Sequence, residues 1–170
     1  MGRYFIAIYP IKSEKIFELQ KKIRPFIDGK EVEKENMHIT LSFLGEKEER
    51  EIKEVKRKLE KVAKNHNRRE IVLSRIKFIP NERFFRVIAV DVSGLEDLSE
   101  GIEREIGGDV KPPHLTLFRV KSVKDKKSLL EASKIEINEV LFVDKIHLMK
   151  STLTPKGPIY EVESSFDLLD

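Results

Sequence analysis

The sequence contains no cysteine, a single glutamine and no long apolar run. Without cysteine the chain can form no disulfide, no thiolate nucleophile and no cysteine-based zinc or iron–sulfur site. No stretch approaches the roughly 20 apolar residues that a membrane-spanning helix needs. The apolar segment near the N-terminus is also too short for a secretion signal. We therefore expect a soluble, cytoplasmic protein with no membrane association.

An excess of charge of one sign is also missing. The chain has 33 Lys and Arg residues against 30 Asp and Glu residues, which gives a net charge of only +3. Any affinity for a polyanion must therefore come from the local placement of arginine and lysine. A composition rich in lysine and glutamate and poor in glutamine resembles that of proteins from hyperthermophiles, so we expect a thermophilic source.

Hydrophobic periodicity predicts strands and helices in alternation. At 170 residues, of which 39% are hydrophobic, the chain is long enough for one domain with a sizeable core. The first half is predicted to contain a strand over 3–9, a helix over 13–27 capped by Ser13 and ended by Pro25, a strand over 37–44, a charged helix over 46–66, and strands over 71–74 and 76–79.

From Arg83 the order of elements starts again. RFFRVIAVDV resembles the first strand, residues 95–106 take the place of the first helix, and PPHLTLFRV takes the place of MHITLSFL. A helix over 123–134 and strands near 135–150 and 159–168 complete the second half. We predict one α+β domain, residues 1–170, of two similar lobes (about 1–80 and 81–170) related by a pseudo-twofold. Each lobe is expected to hold a mostly antiparallel sheet with helices packed outside, around a central cleft.

A His-x-Thr motif occurs at matching places in the two halves, as His38 with Thr40 and His114 with Thr116. The chain has only four histidines and four threonines, so this repetition is improbable by chance. Residues two apart on a strand project from the same face, about 6.5 Å apart. The hydrophobic residues between and after them are expected to face the core: Ile39, Leu41, Leu115 and Leu117. The motifs therefore predict both histidines in one cleft.

Two imidazoles with two hydroxyls suit transfer at phosphorus. An ordinary pKa near 6.5 lets one ring remove a proton while the other supplies one, and threonine hydroxyls can bind phosphate oxygens. No metal or other cofactor is expected, and the absence of a glycine-rich phosphate loop leaves ATP use without support. The alternative is that both histidines are ordinary strand residues. His66 and His147 are expected to have no catalytic role.

These motifs and their flanks resemble the two-histidine (2H) phosphoesterase superfamily, and within it the RNA 2′,3′-cyclic phosphodiesterases also called 2′-5′ RNA ligases. The similarity covers nearly the whole chain, through FIAIYP, MHITLSFLGE, RVIAVDV, PPHLTLFRV and STLTPKGPIYEV. It implies a bilobal fold and hydrolysis of 2′,3′-cyclic phosphate ends of RNA to 2′-phosphates. It also implies that His38 protonates the leaving 3′ oxygen, that His114 activates water, and that Thr40 and Thr116 bind the phosphate. The reverse reaction would be ligation without ATP.

The resemblance adds three candidate substrate contacts, Arg119, Lys150 and Tyr160. Strict strand alternation from His114 puts Arg119 on the opposite face, so Arg119 reaches the site only if the strand bends or bulges. Two alternatives stay open for the function: a nucleotide- or RNA-binding module without turnover, and an enzyme for small cyclic nucleotides. The expected partners are therefore RNA with cyclic phosphate ends or cyclic nucleotides, bound by a monomer.

Overall fold

The computed structural model describes residues 2–170, which form nine strands and four α-helices. Two short 3₁₀ turns, Arg24–Phe26 and Lys34–Asn36, flank the second strand. In chain order the elements are β1 (Gly2–Ile8), α1 (Glu14–Ile23), β2 (Ile27–Glu31), β3 (Ile39–Lys47), α2 (Glu49–Lys64), β4 (Arg69–Pro80), β5 (Phe85–Ser93), α3 (Glu96–Glu105), β6 (His114–Val123), α4 (Lys126–Ala132), β7 (Glu136–Val143), β8 (Lys145–Thr154) and β9 (Gly157–Asp167).

All nine strands join in one antiparallel sheet with the order β7-β4-β5-β6-β3-β1-β8-β9, and β2 pairs with β6 beyond the point where β3 leaves it. The two halves of the sheet meet at a single residue pair, Ile39 with Leu115. The predicted α+β class with mostly antiparallel strands is confirmed. The two sheets expected from the sequence are continuous through this one contact.

Each half of the sheet takes strands from both halves of the chain. On one side of the central pair lie β3, β1, β8 and β9, and on the other lie β6, β5, β4 and β7. The strand that ends the first half of the sequence, β4, therefore pairs with β5, while β8 returns to pair with β1 and β9 pairs with β8. The two sheet halves do not follow a division near residue 80. A pseudo-twofold nevertheless relates them, since β3, β1 and β8 correspond to β6, β5 and β4.

The helices cover one face of the sheet and bury a continuous core against it. Ser13 accepts a hydrogen bond from the backbone N–H of Ile16 at 3.2 Å, so it caps α1 as predicted. Helix α2 begins with a capping box between Glu48 and Glu51 and buries Ile52, Val55, Leu59, Val62 and Ala63. The face of the sheet that carries no helix is called the open face below. No helix among residues 2–170 has the length and apolarity to cross a membrane.

Several elements differ from those that the hydrophobic periodicity predicts. Residues 71–74 and 76–79 belong to the single strand β4, which is interrupted by a register shift between Leu73 and Ile76. Strand β2 follows directly after the Pro25 turn and has only one buried residue, Ile27, so it has no hydrophobic alternation. Gly45 lies inside β3 instead of closing it, with a positive φ of 76°. The segment near 135–150 divides into β7 and β8.

Candidate active site

The two motifs lie side by side where the sheet halves meet. Ile39 pairs with Leu115 in antiparallel register, which places His38 opposite Thr116 and Thr40 opposite His114 when that register is extended by one residue. Each histidine thus stands beside the threonine of the other motif. The expected core residues Ile39, Leu41, Leu115 and Leu117 are 0%, 1%, 0% and 0% exposed on the helix side. The motif histidines and threonines consequently share the open face.

Both imidazole rings are held by the same backbone arrangement. Nδ1 of His38 lies 2.7 Å from the carbonyl oxygen of Asn36, and Nδ1 of His114 lies 3.1 Å from the carbonyl oxygen of Pro112. A carbonyl oxygen only accepts, so Nδ1 carries the proton and donates in each pair. This tautomer leaves Nε2 of each ring as the nitrogen that can exchange a proton with a substrate.

The His38 ring sits between two aromatic rings of the same half of the sheet. The ring centroids of Phe5 and Tyr160 both lie 5.1 Å from that of His38, and Tyr160 meets it edge-on at 80°. Burial is the largest influence and lowers the pKa of His38, against the hydrogen bond to Asn36, which raises it. The positive charges of Arg119 and His114 lower the pKa of His38 further.

Arg119 reaches this group because β6 bulges. Strand β5 pairs Ile88 with Phe118 and Ala89 with Thr116, so Leu117 has no partner in the register. One extra residue reverses the alternation, and both Leu117 and Phe118 are buried while Arg119 is exposed. Arg119 therefore emerges on the same face as His114 and Thr116, where its charge influences both His38 and Tyr160.

An equivalent bulge in β3 brings Phe43 to the open face. Strand β1 pairs Ile6 with Ser42 and Ala7 with Thr40, which leaves Leu41 as the extra residue. Phe43 takes the place in β3 that Arg119 has in β6, and 48% of its surface is exposed. The sequence analysis missed Phe43 and also Phe5. Aligning MHITLSF with PHLTLFR would have placed Phe43 in register with Arg119.

The three candidate substrate contacts lie in different places. Tyr160 packs edge-on against His38, and burial raises the pKa of its phenol. Lys150 pairs with Tyr4, whose ring belongs to the core on the helix side. The neighbouring residue Met149 faces the open side with Phe5. The structure thus brings Arg119 and Tyr160 near His38 and directs Lys150 to the other face.

The remaining histidines have structural partners. Nδ1 of His66 lies 2.8 Å from the carbonyl oxygen of Val62 at the end of α2. Nδ1 of His147 lies 2.8 Å from the hydroxyl of Ser165, and burial lowers the pKa of His147. Within residues 2–170 there is no group of three or more His, Asp or Glu side chains that could hold a metal ion.

Comparisons with known proteins show which family the chain resembles. The family model of LigT-like phosphoesterases matches the chain twice, over residues 8–89 and 90–160. A protein of Methanocaldococcus jannaschii named RNA 2′,3′-cyclic phosphodiesterase is 37% identical over 143 residues, which span 77% of this chain and 80% of that protein. One of the same name from Aquifex aeolicus is 32% identical over 98% of this chain and 97% of its own length.

Solved structures show the same fold. The crystal structure of TT0787 of Thermus thermophilus superimposes with a TM-score of 0.82 at 26% identity, covering 98% of this chain and 97% of that one. Escherichia coli LigT complexed with 3′-AMP superimposes with a TM-score of 0.73 at 18% identity, over 99% and 98% of the two chains. With two family matches on a repeated frame and relatives similar over most of its length, the chain belongs to the LigT-like (2H) phosphoesterase family.

Proposed function

We propose that this protein hydrolyses the 2′,3′-cyclic phosphate ends of RNA to 2′-phosphates, with His38 and His114 as a metal-independent acid–base pair. The observation that carries the proposal is the matched tethering of the two rings. Each Nδ1 donates to a carbonyl, and each Nε2 is left for chemistry beside a threonine of the opposite motif. The names of the relatives in Methanocaldococcus jannaschii and Aquifex aeolicus support the same substrate.

The proposed reaction needs two proton transfers. Nε2 of His114 takes a proton from water as the water oxygen bonds to phosphorus, and the bond from phosphorus to the 3′ oxygen breaks. Protonated His38 gives its Nε2 proton to that oxygen, which leaves a 2′-phosphate and a 3′-hydroxyl. Thr40 and Thr116 hydrogen-bond the non-bridging oxygens. With a 5′-hydroxyl in place of water as the nucleophile, the same steps form a 2′-5′ linkage without ATP.

The environment of His38 fits the role of the acid. A lowered pKa makes the protonated ring a stronger proton donor to the departing oxygen, although less of it is protonated in the free protein. The arriving phosphodiester carries a negative charge, which favours the protonated ring and offsets the effect of Arg119. Both motifs come from one chain, so a monomer is sufficient for the reaction.

The test is incubation of the purified protein, in EDTA, with a short RNA that ends in a 2′,3′-cyclic phosphate. We expect a 2′-phosphate, identified by ³¹P NMR against standards of both isomers. A contaminating ribonuclease that opens cyclic phosphates to 3′-phosphates would give the other isomer, so the product distinguishes the two sources.

His38→Gln, purified in parallel, is the matched control and should form product at least roughly 100-fold more slowly. Binding of the RNA without hydrolysis would favour a binding module. Turnover that needs an added divalent ion would reject the metal-independent mechanism.

A further inference from the structure

Two positive side chains stand next to each other at the Arg119 end of the open face. Strand β2 pairs with β6 so that Lys30 lies directly opposite Arg119, and opposed residues of neighbouring strands point to the same face. The close approach depends on Gly29, because a Cβ there would lie 2.2 Å from the carbonyl oxygen of Arg119. The backbone thus brings Lys30 beside the residue that already influences His38.

Neither charge is neutralised within the part of the chain that the structure describes. No carboxylate of residues 2–170 lies within 4.0 Å of Lys30 or Arg119, although many of the other basic side chains form ion pairs. Nζ of Lys30 lies only at the limit of a hydrogen bond, 3.5 Å from the carbonyl oxygen of Lys156 in the β8–β9 turn. Like charges directly opposite each other destabilise a sheet, so this pair is better explained by an anionic ligand than by folding.

The position of the pair relative to the histidines indicates which anion it binds. Thr116 and Arg119 follow one another on the open face of β6, a spacing comparable to that of neighbouring phosphates in an extended RNA strand. Under the proposed function the 3′ oxygen leaves toward His38, so the terminal ribose lies on the side of His38 and Arg119. The RNA chain on the 5′ side of this ribose then passes Lys30 and the β8–β9 turn.

We propose that Lys30, together with Arg119, binds the phosphodiester on the 5′ side of the terminal nucleotide, so that the enzyme prefers RNA chain ends to free cyclic mononucleotides. This inference rests on the proposed function of the same site. Arg119 contacts both the reacting phosphate and the phosphodiester on its 5′ side, whereas Lys30 contacts only the phosphodiester on the 5′ side. An exposed lysine suits this task because a flexible point charge tolerates different strand conformations.

The experiment measures kcat/KM for three substrates in EDTA: adenosine 2′,3′-cyclic phosphate, its 5′-phosphorylated form, and the dinucleotide ApA that ends in a 2′,3′-cyclic phosphate. We expect the wild-type protein to prefer the two that carry a 5′ phosphate. Lys30→Gln should lower the ratio of kcat/KM for the phosphorylated to the unphosphorylated mononucleotide roughly 10-fold, since one charge-assisted contact is lost. Lys30→Arg keeps the charge and should keep most of the preference.

Lys53→Gln is the matched control, because Lys53 is an exposed lysine on α2 that forms no ion pair among residues 2–170. It should leave all ratios unchanged. The slope of log kcat/KM for ApA against log salt should become shallower by about 0.7 in Lys30→Gln and stay unchanged in Lys53→Gln. A wild-type ratio near one, or a ratio that Lys30→Gln does not alter, overturns the subsite and leaves the proposed function intact. Failure of the wild-type protein on all three substrates overturns the proposed function and this inference with it.

Discussion

His38 and His114 occupy equivalent places in the two halves of the sheet, directly before β3 and at the start of β6. Two residues further on, Thr40 pairs with Ala7 of β1 and Thr116 pairs with Ala89 of β5. The surroundings of these two places differ. Next to Ala7 lies His147. Ala7 itself belongs to a small apolar cluster with Phe5, against which Tyr160 packs. Next to Ala89 lies Lys77, which forms an ion pair with Asp91 at 3.4 Å.

This difference shows that the repeat keeps the backbone arrangement but not the side chains around it. The backbone is repeated: a carbonyl two residues before each ring, a bulge after each threonine, and a shared open face. The flanking side chains are not repeated, and they give one ring an aromatic environment and the other a charged one. A repeated backbone can thus place two similar groups, while the side chains around them differ, and burial at the first place lowers the pKa of His38.

The largest expected effect comes from removing either ring. His38→Ala and His114→Ala should each lower kcat for cyclic phosphate hydrolysis by roughly 10²–10⁴, the usual contribution of a positioned acid or base. The double variant should lose much less than the product of the two, because groups that act in one step are not additive. Circular dichroism checks that each variant is folded. A folded single variant with near-normal turnover would contradict the paired mechanism.

The threonines should behave as equals if the repeated backbone alone positions them. Thr40→Val and Thr116→Val remove a hydroxyl with little change of shape, and each should cost about 1–3 kcal/mol in the transition state, or roughly 5- to 150-fold in kcat/KM. Steady-state kinetics on one cyclic phosphate substrate measure both. A large loss in one variant and none in the other would show that only one motif binds the phosphate.

Arg119 and Phe43 are equivalent in position but differ in chemistry, so their substitutions should differ in kind. Arg119→Gln removes a positive charge near the phosphate and should lower kcat/KM roughly 10-fold for every base. Phe43→Leu removes an exposed aromatic face that a base can stack on, and should mainly raise KM by an amount that depends on the base. Kinetics with adenine and uracil substrates separate the two effects. If the losses in the two variants depend on the base to the same extent, Arg119 and Phe43 do not differ in the part of the substrate that they contact.

Much of this arrangement was predictable from the sequence. The alternation of Ile39 and Leu41 with His38 and Thr40 predicts one buried and one open face, and the repeated order of elements predicts a second copy at His114. Ser13 predicts the start of α1. These features depend on local periodicity and capping, which the sequence records directly.

The rest depends on pairings that local sequence does not encode. The bulges at Leu41 and Leu117 occur without a glycine or proline beside them, so strict alternation put Arg119 on the other face. Lys150 looked like a site residue from its C-terminal segment, yet its register with Tyr4 turns it toward the helices. The aromatic contact of Phe5 with His38 arises only when β1 and β3 pair, and β9 brings Tyr160 to both rings.

The smallest expected effect, and the most direct test of the difference between the two halves, concerns the pKa of His38. Burial against Phe5 and Tyr160 lowers this pKa below the usual 6.5, so the protonated fraction of His38 in the free protein falls at a lower pH than for an exposed histidine. If His38 is the acid, kcat/KM must fall as the pH rises through that lowered pKa.

Tyr160→Ala exposes the His38 ring and should shift upward both the pKa and the pH at which kcat/KM falls, while Tyr160→Phe keeps the aromatic ring and should leave both where they are. NMR titration of ¹³C-labelled histidine measures the pKa of His38, and the pH profile of kcat/KM for each variant measures the pH at which activity falls. If kcat/KM instead rises as the pH passes through the pKa of His38, then His38 is the base and His114 the acid.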